Sequence, residues 1–131
     1  MRYMTIYKSV ERNAPPSQEE IAAMGKFIEQ ISAAGVLVRT DGLLPSSRGA
    51  RVRITDDGRF TVTDGPFAEA KEVVGGYAII DVATREEAIE WTKRFLKVAG
   101  TGESEVREMY EQPAFDADPT QPSLHNAASR R

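Results

Sequence analysis

Apolar and polar residues alternate along this chain in two rhythms, one of period two and one of period near 3.6. Arg2 to Lys8 is short, β-branched and aromatic, which predicts an opening strand. Ile21, Met24, Phe27, Ile28 and Ile31 then recur at three- and four-residue steps, one face of a helix. Just ahead of them, Ser17-Gln18-Glu19-Glu20 has capping-box spacing: the Ser17 hydroxyl can accept from the Glu20 amide while the Glu20 carboxylate reaches back. Gly35 is placed to end that helix, and Val36 to Arg39 predicts a brief second strand. Beyond the Leu43-Leu44-Pro45-Ser46-Ser47 link, Arg51 to Thr55 and Arg59 to Thr63 form the arms of a hairpin turned through Asp57-Gly58. Gly76 to Val82 predicts another strand. Thr84-Arg85-Glu86-Glu87 repeats the capping spacing before a helix with Ala88, Trp91, Phe95 and Leu96 on its apolar face, closed by Gly100 and Gly102. Val106 to Tyr110 supplies the last strand.

Strand-helix-strand twice over, with a hairpin between, is an α+β pattern of the ferredoxin-like, split βαβ kind. Both helices then cover one face of the sheet. On Gly76 to Val82, Tyr77 and Ile79 point one way while Ala78, Ile80 and Val82 point the other. On the first strand Tyr3 and Tyr7 oppose Met4 and Ile6. Apolar residues of both parities ask for cover on both faces. A second copy of the chain is the simplest cover, so a homodimer with face-to-face sheets is expected. Residues 1–111 make one domain. From Gln112 the periodicity vanishes, and 112–131 is expected to be a disordered or loosely packed tail.

Composition narrows the chemistry. The net charge of -3 supplies no basic stripe, which argues against nucleic acid as a partner. Zero cysteines exclude disulfides, thiolate metal ligands and thiol nucleophiles. No apolar run approaches the ~20 residues of a membrane helix, and a cytoplasmic location is the expectation. His125 is the single histidine and stands in the tail with only Asp116 and Asp118 nearby, so no metal site is expected. It also leaves Ser46 and Ser47 without a triad partner. Gly75-Gly76 is too short to cradle phosphates, and no cofactor is expected.

The candidate chemistry gathers around Thr63-Asp64-Gly65-Pro66-Phe67-Ala68-Glu69-Ala70-Lys71-Glu72. Asp64 can serve as a general base if partial burial raises its pKa; its simpler role is to cap the turn. Gly65 and Pro66 read as turn geometry. Phe67 is either a core or interface plug or a ring on which a ligand stacks. Lys71 can attract an anion or act as a nucleophile, against the simpler reading of Glu69, Lys71 and Glu72 as a solvated face. Arg51, Arg53 and Arg59 on the hairpin, the first two on one strand face, can clamp a carboxylate or phosphate, or merely keep the hairpin edge from pairing. Tyr77, at the head of the next strand, completes the candidate ligand-binding set.

These residues carry a family resemblance. Met1-Arg2-Tyr3-Met4, Ala34-Gly35-Val36-Leu37, Leu43-Leu44-Pro45, the long Thr63 to Glu72 segment and Gly75-Gly76-Tyr77-Ala78-Ile79-Ile80-Asp81-Val82 together resemble the YCII-related family, in its Asp-Gly-Pro-Phe (DGPF) branch. The resemblance runs to Tyr110 and rests mainly on the DGPF segment. It implies a dimeric α/β barrel of ferredoxin-like protomers and an association with bacterial sigma-factor genes, without an established activity. Relatives outside this branch are proposed to use a histidine and an aspartate in a cleft; here the sole histidine is His125. Three functions are therefore carried forward. The first is a dimeric module binding an unknown small molecule, linked to sigma-factor regulation. The second is a cofactor-free proton-transfer or isomerase-like enzyme with Asp64 as base. The third is a protein-interaction partner in transcription regulation.

Overall fold

The computed structural model describes residues 1–12 and 14–111. The expected tail from Gln112, with His125, lies outside the described residues. The elements follow in the order β1 (Arg2–Ser9), α1 (Gln18–Ala33), β2 (Leu37–Gly42), a short 3-10 turn (Ser46–Arg48), β3 (Ala50–Ile54), β4 (Phe60–Asp64), β5 (Val73–Asp81), α2 (Arg85–Ala99) and β6 (Glu103–Glu108). Four strands make an antiparallel sheet in the order β2-β5-β1-β6, and β3 pairs with β4 as a separate ribbon. This α+β arrangement of two helices and antiparallel sheets is compatible with the ferredoxin-like pattern.

Local chemistry explains the helix ends. Glu20 donates its amide to the Ser17 hydroxyl at 3.1 Å, and the Ser17 amide donates to the Glu20 carboxylate at 3.2 Å. At the other end Gly35, at φ 72°, donates to the Ser32 carbonyl while Val36 donates to Ile31, the doubly bonded closure that only a left-handed residue permits. The cap of α2 differs from its expected form. Thr84 accepts from the Glu87 amide, but the Glu87 carboxylate accepts from Ala83, one residue before the cap.

Tyr3, Phe27, Ile31, Ile80, Val82 and Ala88 form the buried core between the helices and one face of the sheet. Full burial stabilises by about 1.5–3 kcal/mol for a side chain such as Ile80. The register places Tyr3 opposite Ile80, so odd-numbered β1 residues meet even-numbered β5 residues on the helix side. Met4, Ile6, Tyr77 and Ile79 therefore line the other face, as the parity of the sequence predicts, and no helix among the described residues packs on it.

Three strands depart from the sequence reading by three residues at one end. β2 runs on to Gly42, where Leu43 donates to the Gly75 carbonyl, and β5 begins at Val73 because Val73 and Val74 pair with Ser9 and Lys8 of β1. β6 is shifted toward the N-terminus because Glu103 and Ser104 pair with Lys8 and Tyr7. The hairpin turn is wider than a two-residue Asp57-Gly58 turn: Gly58 donates to Thr55, and Gly58 alone takes a positive φ, 83°.

Candidate functional site

A cleft of about 710 Å³ opens between the sheet and the two helices, within the range of small-molecule sites. Thr5, Tyr7, Ala78 and Ile80 form its floor on β1 and β5, Ile21, Met24 and Ile28 its α1 wall, and Trp91, Phe95 and Val98 its α2 wall. The Tyr7 and Phe95 rings meet edge to face, centroids 5.3 Å apart, and Phe27 tilts against both Trp91 and Phe95. The helical periodicity that marked Met24 and Ile28 as core positions is satisfied only in part. The helix stands off the sheet, and Ile21 at the open end is 58% exposed.

The DGPF segment stands elsewhere. Of the candidate residues, Tyr77 alone lines the cleft; Arg51, Arg53, Asp64, Gly65, Pro66, Phe67 and Lys71 do not. Asp64 ends β4 with its side chain exposed, and Arg53 and Lys71 are likewise exposed. Arg51 lies over the Phe67 ring at 3.9 Å and pairs with Glu69. The loop is held by residues outside it. The Ser46 hydroxyl donates to Glu11 at 2.5 Å and accepts from the Phe67 amide at 3.0 Å, and the Ser46 amide donates to the second Glu11 oxygen at 2.5 Å. These donors, the hydroxyl first, hold the Glu11 carboxyl below its ordinary value. Gly65 donates to the Gly49 carbonyl at 3.0 Å and joins Pro66 through a cis peptide. A side chain at Gly65 has no room: an added Cβ would sit 2.6 Å from the Ser46 carbonyl carbon and closer still to its oxygen.

The YCII-related domain model matches residues 1–112. The chain belongs to the YCII-related family. An uncharacterized protein of Rhizobium meliloti (strain 1021) is 36% identical to this YCII-related chain over 87 residues, a stretch covering 66% of each protein.

Charge in the YCII-related cleft is confined to its rim. Arg12 donates two hydrogen bonds to Glu20, the shorter 2.8 Å, and this guanidinium, followed by the Ser17 amide, holds the Glu20 carboxyl below its ordinary value. The Asp41 carboxylate accepts from the Tyr77 hydroxyl at 2.6 Å and from Arg39 at 2.9 Å. The first of these depresses the Asp41 carboxyl most and raises the Tyr77 phenol. By the strand register the Tyr77 side chain is on the sheet face away from the helices, so it touches the rim of the cleft rather than its interior. Among the described residues no cluster of three or more His, Cys, Asp or Glu could hold a metal ion. No helix among them is long and apolar enough to cross a membrane.

Sequence reasoning missed Glu11, Ser46 and the Arg12–Glu20 pair. The sequence leaves Ser46 without a triad partner, and its part as a clasp depends on Glu11 and Phe67, which are 35 and 21 residues away. Capping-box spacing located Glu20 but gave no sign that Arg12 would meet it.

Proposed function

We propose that this YCII-related chain, of the DGPF branch, is a dimeric small-molecule-binding module. The observation that carries the reading is the 710 Å³ cleft, walled by apolar and aromatic side chains and open at one end. The DGPF turn then belongs to the scaffold: it is tied to Glu11 and Ser46 and anchors the hairpin. Binding is tested by thermal melting against a panel of metabolites. A ligand at a hundred times its Kd stabilises by about 2.7 kcal/mol, roughly 10 °C at about 4 °C per kcal/mol for a domain of this size. Failure of every compound to move either the melting temperature or the emission of Trp91 would sink the reading.

The dimer part of the proposal is supported by the sheet face that no helix among the described residues covers. Two adjacent rows cross it: Arg39, Ile79, Met4 and Arg107, then Asp41, Tyr77, Ile6 and Glu105. One row has cations at both ends and the next has anions, with apolar or aromatic residues between. A two-fold axis crossing the strands between the rows sets the cations of one protomer against the anions of its partner and brings the central side chains together. Such self-complementarity suits an isologous pair. The regulatory link to sigma factors rests on the family resemblance and is tested by co-purification with a sigma factor.

A further inference from the structure

If the binding reading holds, the lining of the cleft specifies the class of ligand. Among the described residues, only Arg12, Glu20 and Asp41 bring charge to the lining, and all three sit at its rim. None is free: Arg12 and Glu20 are bonded to each other, and Asp41 is held by Tyr77 and Arg39. Two of the three lining threonine hydroxyls are also committed, and the third, on Thr5 of the floor, is a neutral group that offers no counter-charge. Thr92 donates to the Ala88 carbonyl at 2.7 Å, and Thr40 donates to the Tyr77 carbonyl at 2.9 Å. Everything else deep in the cleft is aliphatic or aromatic carbon, with the Tyr7 hydroxyl turned out to the Thr101 carbonyl at 3.1 Å. An ionised ligand would lose its hydration here and find no unpaired counter-charge, whereas an apolar one gains the full benefit of leaving water. The cationic side chains read from the sequence as anion clamps, Arg51, Arg53 and Lys71, stand outside the cleft and offer such a ligand nothing.

We infer that the cleft takes a neutral, predominantly apolar molecule, alkyl or aromatic in character, and rejects its ionised analogues. The molecule enters past Ile21 and Arg12–Glu20 at the open end and lies against Tyr7, Met24 and Phe95. Hydrogen-bonding atoms of the ligand, where it has them, stay at the rim beside Ser9 and the Arg12–Glu20 pair.

The protein carries its own reporter, since Trp91 is its single tryptophan and lines the cleft. The test titrates the full chain with phenylnaphthylamine and with anilinonaphthalene sulfonate, which share their rings and differ by one sulfonate, and follows energy transfer from Trp91. The neutral dye is expected to saturate, with the sulfonated dye weaker by roughly tenfold or more, the direction that uncompensated burial of charge requires. Two variants locate the dye. Ala78→Leu fills the floor, since Ala78 lies between Thr5 and Thr40 on the helix side of the sheet. Ile21→Asp, at a position already 58% exposed, puts a carboxylate at the mouth with little demand on folding. Each should weaken the neutral dye at least severalfold while the far-ultraviolet dichroism is kept. Equal or tighter binding of the sulfonated dye overturns the ligand class and leaves the binding module standing. Neutral-dye binding unchanged in both variants puts the dye on another surface and overturns the inference. No energy transfer with either dye removes the cleft as a ligand site and the binding reading with it.

Discussion

Gly65→Ala separates the geometric role of the DGPF turn from any chemical one. The Cβ it adds would overlap the Ser46 carbonyl, lying 2.6 Å from the carbon and closer to the oxygen, and 3.2 Å from the Ser47 nitrogen. All three atoms are main chain, so no rotamer change relieves the overlap. Gly65 lies outside the positive-φ region, and the cost is therefore steric alone. Overpacking against rigid neighbours costs about 1–3 kcal/mol. The loop must then back away from Ser46, straining two hydrogen bonds, Gly65 to Gly49 and Phe67 to Ser46, each worth about 1 kcal/mol. A loss of about 3 kcal/mol is expected, seen as a fall of roughly 12 °C in melting temperature at about 4 °C per kcal/mol. The control is Gly49→Ala, whose Cβ would meet the same Ser46 oxygen at 3.6 Å, an ordinary contact, from extended backbone at φ -126°. It should change stability by less than about 1 kcal/mol, in either direction. Urea and thermal unfolding of both variants provide the measurement. Equal losses for the two, or a Gly65→Ala protein within about 0.5 kcal/mol of the parent, would refute the close-approach argument.

The remaining predictions concern the clasp, the DGPF carboxylate and the sheet face. Because Ser46 depresses the Glu11 carboxyl below its ordinary value of 4.5, Glu11 adds stability above that pH, and the contribution is lost as pH falls through the lowered folded value. Glu11→Gln should therefore flatten the acid limb of the stability profile, and an unaltered limb in urea melts across that range would remove Glu11 from the clasp. Asp64→Asn, at an exposed position away from the cleft, should leave melting temperature and neutral-dye affinity unchanged; a tenfold loss of dye affinity would return Asp64 to the site. Arg107→Glu should weaken self-association in sedimentation by setting like charges face to face, and Glu105→Arg with Arg107→Glu should restore it. A parent chain that sediments as a monomer at every concentration refutes the dimer itself.

Much of the path of the chain was legible because its signals are local. The Ser17–Glu20 box, the Gly35 closure and the 3.6-residue spacing of α1 each lie within a few turns of backbone, and side-chain parity on β1 and β5 sorts residues to one face or the other without knowledge of the partner strand. The candidate site was legible only in part. Charge clusters around Asp64 and Lys71, whereas the cleft is built from residues that periodicity marks simply as core. Met24, Ile28 and Phe95 have the same pattern whether their helices seat tightly or stand off the sheet.

By itself, then, the amino-acid sequence determined the types and order of the elements, the two-faced apolar character of the sheet, and the absence of thiol chemistry. Only the tertiary structure decided where the strands end, since pairing between Leu43 and Gly75, or Glu103 and Lys8, depends on the partner strand. It alone joined Glu11, Ser46 and Phe67 into one clasp and left a cleft between the layers. Hydrogen bonds across tens of residues and gaps between packed surfaces depend on distances in space, and neither has a fixed spacing along a chain.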